Sequence, residues 1–484
     1  MKAITLTIIK SLLIATMVLL FTCTNHNDLS ANGTETTQRV AAAYAQMIVL
    51  KAKHHVQPMI IELTEKFPTL KLDRINEIGV IQIEHHEKEV IDNASKYIHA
   101  RYGKYIVQEA EVVNPLELDT ALTAHYSTDA SAPSKQSSLY FQHDPKAHFY
   151  GQWGVHDVTE GKKSYAIAKG NHDVTIAILD SGIDLNHPDL VDNIIAPGRS
   201  FVPGEATTMD VNGHGTKVAG IIAANGNISG VAPQVGIVPY KVFSREGGRA
   251  FWMIKAMVTA TDDGHQILNI SSGIYQTYTD KVGGTVVEAF RRAIDYANRK
   301  GSIIVNSAGN EGRNINQLIP TGEDGTKVIR LPSIIPKVVT VGASTLERMP
   351  APYSNYGKKI DFYAPGGSYG PMAHQDEFDF RFPLLTTFPT YLEQSAIAQT
   401  IGLPKGYDLD IGASLATSAV SATYALVMQK LNEYKLKKTP AEITDIVKDT
   451  AVPLHANDST ARWARMVNAY QALQYVENEM NKSE

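Results

Sequence analysis

The run Val174-Thr-Ile-Ala-Ile-Leu179 is followed directly by Asp180-Ser-Gly-Ile-Asp184, and this stretch decides the fold class. A short run rich in Ile and Val that ends in Asp, Ser and Gly predicts a buried strand and the turn after it. Similar runs, separated by helical stretches, lie at residues 236–242, 267–271, 302–308 and 338–342. Alternating buried strands and helices predict an α/β fold with a doubly wound, mostly parallel sheet.

The composition of the whole chain is that of a globular protein. Of its 484 residues, 43% are hydrophobic and 20% are charged, which excludes a wholly disordered, collagen-like or multi-span membrane protein. The formal net charge is -5, so no general electrostatic attraction to nucleic acid is expected. Cys23 is the only cysteine, and therefore neither an intrachain disulfide nor a cysteine-based zinc cluster can form.

Residues 1–31 have the pattern of an export signal. Lysines precede an apolar run at residues 11–21, which is shorter than the roughly 20 apolar residues of a membrane-spanning helix. Cys23 follows this run and resembles the acylated cysteine of a bacterial lipoprotein signal. A membrane-anchored lipoprotein and a plain secreted protein cleaved near Ala31 both stay open, and both are exported.

Residues 35–113 predict a small α+β unit. Strand-like segments and helical patterns alternate in the order β-α-β-α-β, at residues 46–53, 58–67, 75–84, 87–102 and 104–113. In an alternative interpretation, Gly79 divides the middle strand. The order is typical of a ferredoxin-like module.

Residues 114–138 predict an exposed linker. The segment contains Pro115, Pro133 and a cluster of serines, a composition that suits access by a protease. The α/β unit then extends over residues 139–484.

Three short blocks carry the chemistry of the α/β unit. Asp180 stands at the end of its first strand, His214 lies in Gly213-His-Gly-Thr216, and Ser414 lies in Gly412-Ala-Ser-Leu-Ala416. The blocks with His and Ser each enter a helical stretch. Each block alone is a common turn or cap, but the chain order Asp, His, Ser predicts a catalytic triad. In such a triad Asp orients His, and His takes the proton of the Ser hydroxyl.

With these blocks the chain resembles the subtilisin-like serine proteases over residues 139–473. The resemblance implies that Asp180, His214 and Ser414 hydrolyse peptide bonds without a cofactor, in a monomer whose partner is a peptide or protein substrate. It also implies that the side-chain amide of Asn310 donates a hydrogen bond to the developing oxyanion. The family's substrate-binding strands are matched here by Ser271, Ser272 and Gly273 and by Ser307, Ala308 and Gly309.

The same resemblance assigns a role to residues 35–113. A small module before the protease domain is similar to the family's inhibitory propeptide, which also assists the slow folding of the α/β domain. The protein is then a zymogen, and its own propeptide is a second partner. Cleavage within residues 113–141 is expected to release the propeptide.

Three residues near the triad depart from the family pattern. Lys217 stands where a second His usually follows, Ala413 replaces the Thr before the nucleophile, and Ser418 replaces a Pro in the nucleophile helix. None of them is a triad member, so an active enzyme is expected. A catalytically silent homologue that binds peptides is the alternative.

Asp189 matches a calcium ligand of the family. The loop at residues 225–230 would supply the carbonyl ligands that Ca²⁺ prefers, but this loop looks shortened. A structural Ca²⁺ and a surface Asp beside a tight loop both stay open.

The long stretch between Gly366 and Gly412 points to one subgroup of the subtilisin-like proteases. Together with residues 353–357 and 360–367, it is similar to the leader peptidases of lantibiotic clusters, which remove the leader from a modified peptide antibiotic. Leader removal is the function that this resemblance implies. General extracellular degradation of proteins is the alternative.

Glu311 follows Asn310 and is expected at the rim of the pocket for the residue before the cleaved bond. Glu323 and Asp324 lie in the following loop. Negative charges at this rim favour a basic residue, which the leader-peptidase resemblance also implies. An apolar pocket with solvated, screened carboxylates is the alternative.

Overall fold

The structure is a computed structural model, and it describes residues 44–111, 115–118, 151–277, 281–321, 326–370, 379–455 and 464–481. The predicted export signal, Cys23 and most of the predicted linker lie outside the described residues. Among the helices of these described ranges, none is both long and apolar enough to cross a membrane.

The strands are, in chain order, β1 Tyr44–Leu50, β2 Lys71–Ile75, β3 Val80–His85, β4 Ile106–Glu111, β5 Pro115–Leu118, β6 Thr175–Asp180, β7 Arg199–Ser200, β8 Gly236–Lys241, β9 Phe243–Ser244, β10 Gly247–Arg249, β11 Ile267–Ile270, β12 Ser272–Thr277, β13 Ile303–Ser307, β14 Ile319–Thr321, β15 Thr326–Leu331, β16 Val338–Ser344, β17 Phe362–Pro365, β18 Leu384–Thr387, β19 Tyr407–Asp410, β20 Val452–Pro453 and β21 Arg465–Met466. The helices are α1 Val56–Lys66, α2 Lys88–Tyr102, α3 Trp153–Val158, α4 His214–Ala223, α5 Ala250–Asp262, α6 Lys281–Arg299, α7 Ala396–Thr400, α8 Ala413–Glu433, α9 Pro440–Asp449 and α10 Ala469–Asn481.

A mostly parallel sheet forms the centre of the larger α/β unit. Within the described residues its strand order is β20-β21-β17-β16-β13-β11-β6-β8-β7, and only the pairing of β20 with β21 is antiparallel. In β6, Ile176 and Ile178 belong to one buried cluster, whereas Ala177 and Leu179 belong to another. Both faces of the strand are therefore covered, which explains its continuous apolar run. The predicted doubly wound α/β fold is confirmed.

Residues 44–111 form a smaller antiparallel sheet with two helices. Its strand order is β2-β3-β1-β4, with α1 after β1 and α2 after β3, which is the ferredoxin-like arrangement. The prediction of a single middle strand is wrong, because β2 and β3 form a hairpin in which Ile75 pairs with Val80. Gly79 lies in this turn with a φ of 71°, a conformation that glycine adopts without strain.

The smaller unit packs its sheet against α5 and α6. Met47 and Val49 of β1 join the buried cluster that contains Phe290 of α6. Nη1 of Arg292 in α6 donates to the carbonyl oxygens of Leu50 at 2.6 Å and Ile78 at 2.9 Å. The interface thus combines apolar burial with hydrogen bonds to the backbone carbonyl groups of Leu50, at the end of β1, and Ile78, in the turn between β2 and β3.

Candidate active site

Asp180 and His214 form a direct hydrogen bond at the carboxyl end of β6. Nδ1 of His214, the first residue of α4, lies 2.8 Å from Oδ1 and 3.0 Å from Oδ2 of Asp180. Both side chains are buried. A Cβ on Gly215 would lie 2.0 Å from the carbonyl oxygen of Gly182 and 3.2 Å from Oδ1 of Asp180, so glycine is required for this close approach.

Asp210 holds the start of α4 in place, and the sequence analysis missed it. Its carboxylate accepts hydrogen bonds from the N–H groups of Gly213 at 2.7 Å and Thr216 at 2.9 Å, and from the hydroxyl of Ser181 at 2.8 Å. These bonds satisfy backbone donors at the helix start, where the helix dipole also favours negative charge. The position of Asp210, four residues before the first residue of α4, is the only sign of this role in the sequence.

The charges around His214 raise the pKa of its imidazole. Burial by itself lowers this pKa, but the Asp180 carboxylate raises it by charge and hydrogen bond, and Asp410 acts in the same direction. The ammonium of Lys217 opposes them. Nε2 of His214 is buried and has no hydrogen-bond partner within the described part of the chain. The neutral ring therefore presents a buried basic nitrogen, and it loses this capacity as the pH falls through the raised pKa.

Lys217 links α4 to the hairpin β18–β19, which is built from the long stretch before Gly412. Its Nζ lies 2.9 Å from Oδ2 of Asp410 and 3.8 Å from Oδ2 of Asp408. Burial lowers the pKa of Lys217, but these two carboxylates outweigh it and raise the pKa above its ordinary value. The departure from the family pattern at Lys217 is thus paired with acidic residues that the inserted hairpin supplies.

Replacing Asp410 is expected to move the acid limb of the pH–activity profile. In Asp410→Asn, one of the charges that raise the pKa of His214 is lost, while Lys217 remains to lower it. The pKa of His214 then falls, and activity persists to lower pH than in the parent. The measurement is kcat/KM against pH, with Asp408→Asn as the matched control because Asp408 contacts Lys217 at a longer distance. An acid limb that does not move in Asp410→Asn would contradict the assignment.

Ser414 is the second residue of α8, and its backbone is held from two sides. Its carbonyl oxygen accepts hydrogen bonds from the hydroxyls of Ser271 at 3.0 Å and Ser418 at 2.9 Å. The N–H of Ala413 donates to Oδ1 of Asn310 at 2.9 Å. This bond fixes the orientation of the Asn310 amide at the start of α8, with Nδ2 as its donor group. Helix α8 packs directly against α4, which carries His214.

The two segments that are predicted to bind substrate are neighbours in the structure, and strand β5 of the same chain pairs with one of them. Ser271, Ser272 and Gly273 lie at the junction of β11 and β12, and Ser307, Ala308 and Gly309 lie at the end of β13. Strand β5 runs antiparallel to β12, where Gly273 pairs with Glu117 and Ser272 pairs with Leu118. On its other edge β5 pairs with β10. The position where an extended peptide would add to β12 is therefore occupied by residues 115–118.

The residues around Asp189 do not fit a calcium ion. The carboxylate of Asp189 accepts hydrogen bonds from the N–H groups of Asn227 and Ile228, each at 3.0 Å. Nε2 of Gln152 donates to the carbonyl oxygen of Ser229 at 2.9 Å, and Nζ of Lys162 donates to the Ser229 hydroxyl at 3.2 Å. The Asp189 carboxylate and the Ser229 carbonyl oxygen, which could ligate Ca²⁺, thus accept hydrogen bonds from the protein. The ammonium group of Lys162 lies beside them and would repel a cation. These contacts favour Asp189 as a residue that stabilises the loop over Asp189 as a calcium ligand.

Chelation is therefore expected to leave the thermal stability unchanged. The Tm in excess EDTA should match the Tm in millimolar Ca²⁺, because in this interpretation the hydrogen bonds of Asp189 hold the 225–230 loop. Asp189→Ala should instead lower the free energy of unfolding by about 1–3 kcal/mol, since the N–H groups of Asn227 and Ile228 lose their acceptor and the latter is buried. Asp189→Asn, which keeps one acceptor oxygen, should be destabilised less. A lower Tm in EDTA would contradict this interpretation.

Glu311, which is predicted to offer a negative charge to a basic substrate residue, makes contacts within the chain in the structure. Its carboxylate accepts hydrogen bonds from the Tyr275 hydroxyl and from Nδ2 of Asn355, the latter at 2.6 Å, and lies 3.6 Å from Nη1 of Arg330. Burial raises the pKa of Glu311, but the charge of Arg330 and the two hydrogen-bond donors have the larger, opposite effect. The pKa of Glu311 therefore lies below its ordinary value, and the group is ionised at neutral pH. Its charge is already matched by Arg330, which the sequence analysis did not single out. Glu323 and Asp324 lie outside the described residues.

Sequence comparison with known proteins finds relatives among serine proteases that process leader peptides. The nisin leader peptide-processing serine protease NisP of Lactococcus lactis subsp. lactis is 31% identical over 372 residues, which cover 70% of this chain and 52% of that protein. The epidermin leader peptide-processing serine protease EpiP of Staphylococcus epidermidis is 28% identical over 330 residues, covering 63% of this chain and 69% of that protein. The chain thus spans about half the length of NisP.

Comparison with solved structures also finds proteases that act on lanthipeptide or leader-peptide substrates. The crystal structure of a lanthipeptide protease matches with a TM-score of 0.61 and 34% identity, over 70% of this chain and 98% of that structure. The crystal structure of EpiP from Staphylococcus aureus matches with a TM-score of 0.69 and 25% identity, over 89% of this chain and 98% of that structure. The family model of the subtilases matches residues 171–474, which include Asp180, His214 and Ser414. The chain belongs to the subtilase family of serine endopeptidases.

Proposed function

We propose that this protein is an exported endopeptidase in which Ser414 is the nucleophile, His214 the general base and Asp180 the residue that orients His214. The observation that carries the proposal is the buried hydrogen bond between Asp180 and Nδ1 of His214, with Nε2 of the ring unpaired among the described residues. Such a bond fixes the tautomer in which Nε2 accepts a proton. Ser414 lies at the start of the helix packed against α4.

The reaction follows from these positions. The Ser414 hydroxyl attacks the substrate carbonyl carbon while its proton passes to Nε2 of His214. Nδ2 of Asn310 and the backbone N–H of Ser414 stabilise the resulting oxyanion. The protonated His214 then gives its proton to the leaving amine nitrogen, and an acyl-enzyme remains. A water molecule then attacks the acyl carbon while Nε2 of His214 takes its proton. His214 gives this proton to the Ser414 oxygen as the ester bond breaks and the acid product leaves.

The smaller unit and β5 support the proposal that the chain is made as a zymogen. Residues 35–113 would be the propeptide, residues 114–138 the linker, and residues 139–484 the peptidase domain, with cleavage within residues 113–141. Strand β5 lies between β10 and β12, where it would block entry of another extended peptide. The packing of the smaller sheet on α5 and α6 would keep the segment in place until it is cut.

Leader removal from a lantibiotic precursor is the proposed physiological reaction. The names of the relatives NisP and EpiP support it, and so does the hairpin β18–β19, which is built from the insertion that prompted the resemblance. General extracellular degradation is the second candidate, because Subtilisin E of Bacillus subtilis is also 29% identical over 326 residues. A silent homologue is disfavoured by the intact Asp180–His214 pair.

A comparison of two substrates separates these candidates. The mature protein is incubated with a lanthionine-containing precursor that carries its leader and, separately, with unfolded casein. A single cut between leader and core, with slow loss of casein, is the expected result. Rapid loss of casein and several cuts in the precursor would favour the degradative enzyme. Failure of a fluorophosphonate probe to label the parent, with Ser414→Ala as the blank, would favour the silent homologue.

Export through the signal at residues 1–31, with Cys23 acylated, is also part of the proposal. We expect Cys23→Ser to shift the protein from the membrane fraction to the medium or periplasm without a change in specific activity. A single acyl chain holds a protein only weakly, so the additional chains of a lipoprotein are needed for retention. Fractionation followed by activity assay is the measurement, and an unchanged distribution would favour a plain secretory signal.

A further inference from the structure

A buried asparagine lies between the two segments that are predicted to bind substrate. Asn306 is in β13, directly before Ser307, and it is fully buried. Its Nδ2 donates to the carbonyl oxygens of Ile270 and Ser272, both at 2.8 Å. Its Oδ1 accepts from the hydroxyl of Ser333 at 2.7 Å. Both hydrogens of the amide nitrogen and one lone pair of the amide oxygen are thus used within the protein.

These hydrogen bonds are made where the chain leaves the central parallel sheet. Ile270 is the last residue of β11, and Ser272 is the first residue of β12, which belongs to a different sheet. Buried carbonyl groups need donors, and here one amide supplies a donor to the carbonyl on each side of Ser271. The side chain of Asn306 therefore fixes the path of the backbone between the two sheets.

The carbonyl of Ser272 decides which way the next residue faces. Along an extended strand, the N–H and C=O groups of successive residues point to opposite sides. Because the carbonyl of Ser272 is turned towards Asn306, the backbone groups of Gly273 face the opposite edge of β12. At that edge Gly273 pairs with Glu117 of β5, in the position where an extended substrate would add to the strand.

Ser333 extends this network to the second predicted segment. Its hydroxyl lies 2.7 Å from Oδ1 of Asn306 and 3.0 Å from the carbonyl oxygen of Ser307. Ser333 is itself buried. Side chains that are distant in the sequence thus join the junction of β11 and β12 to the end of β13.

We propose that Asn306 is a positioning residue for substrate binding, which holds Ser272 and Gly273 in the conformation that pairs with the residues before the scissile bond. The inference rests on the proposed endopeptidase function. Without the amide, the edge of β12 has more conformational freedom, and an extended peptide must order this edge when it binds. The lost entropy weakens binding. A substrate too short to reach Gly273 does not incur this loss.

The test compares two substrates of different length. Both carry a para-nitroanilide leaving group and the same residue Xaa, chosen as the one after which the parent cleaves best. The long substrate, acetyl-Leu-Glu-Leu-Xaa, copies residues 116–118 and in the register of β5 places its Glu opposite Gly273. The short substrate is acetyl-Xaa. In the parent, kcat/KM should be higher for the long substrate, and Asn306→Ala should lower the long-to-short ratio by about 10-fold.

This ratio does not depend on the concentration of active enzyme, so a variant that is merely less stable keeps the ratio of the parent. Ser333→Ala is a milder second variant, which retains the amide but removes the hydroxyl beside it and should lower the ratio by a smaller factor. Thr340→Val is the matched control, because the buried hydroxyl of Thr340 donates to the carbonyl oxygen of Ser333 at 2.7 Å and not to the amide of Asn306. Its ratio should equal that of the parent.

Three results would overturn the inference: a parent that gains nothing from the longer substrate, a ratio unchanged in Ser333→Ala and in Asn306→Ala, or an equal fall in Thr340→Val. If Asn306→Ala does not fold, Ser333→Ala alone decides. Fluorophosphonate labelling of Ser414 keeps the two proposals apart, since it needs no extended substrate. A labelled parent with an unchanged ratio in the variants contradicts only the role of Asn306, whereas an unlabelled parent contradicts both.

Discussion

Ser414→Ala is expected to abolish peptide hydrolysis, with kcat falling by about 10⁶, the magnitude found for loss of the nucleophile in another subtilase. The variant keeps the backbone contacts at the start of α8, because the carbonyl oxygen of Ser414 and not its hydroxyl accepts from Ser271 and Ser418. The fold should therefore persist while the chemistry is lost. The measurement is the turnover of a peptide substrate, together with the mass of the purified chain.

The mass separates self-processing from processing by another protease. Ser414→Ala should remain uncleaved within residues 113–141 when it is produced in a host without other exported proteases. Ser418→Ala is the matched control, since it removes a hydroxyl four residues later that reaches the same carbonyl oxygen. It should mature and retain activity. Normal maturation of Ser414→Ala would contradict self-processing, and residual turnover close to that of the parent would contradict the nucleophile assignment.

Asn310→Ala is expected to lower kcat by about 10²–10³ with little change in KM, because the lost amide donor acts on the oxyanion and not on the bound substrate. This magnitude comes from the same family of enzymes. Single-substrate kinetics on the parent and the variant give both constants. The Asn310 side chain has a second contact, since its Oδ1 accepts from the N–H of Ala413 at 2.9 Å.

Asn310→Asp distinguishes the two contacts. Aspartate keeps an acceptor oxygen for the N–H of Ala413 but lacks the amide donor and adds negative charge near the oxyanion. We therefore expect Asn310→Asp to be at least as slow as Asn310→Ala while its thermal stability stays close to that of the parent. Recovery of kcat in Asn310→Asp would mean that Asn310 only supports the start of α8. A defect confined to KM would make Asn310 a substrate-binding residue.

The buried strands and the three chemical blocks were predictable because each depends on residues that are close in sequence. The apolar run before Asp180 marks β6, since a strand covered on both faces is apolar throughout. His214 and Ser414 stand at helix starts that glycine and small residues mark locally. In the smaller unit, β2 was not predicted because Lys71-Leu-Asp-Arg-Ile75 lacks a clear alternation of apolar and polar residues. A break at Gly79, which has a left-handed conformation in the structure, was predicted only as an alternative.

The ion pairs and hydrogen bonds of the site join segments that are far apart in the sequence, and the spacing of residues along the chain does not predict them. Lys217 and Asp410 are 193 positions apart, yet their side chains meet in the structure. Glu311 is predicted from the sequence at the rim of the pocket, and only the fold brings Nη1 of Arg330 in β15 to 3.6 Å from its carboxylate. The carboxylate of Asp189 likewise accepts hydrogen bonds from a loop nearly forty positions away. The sequence by itself determined the fold class and the order of Asp180, His214 and Ser414, because strand burial and helix starts are local. Only the tertiary structure decided which charged side chains lie close to one another, because Coulomb energy depends on distance in space and on burial.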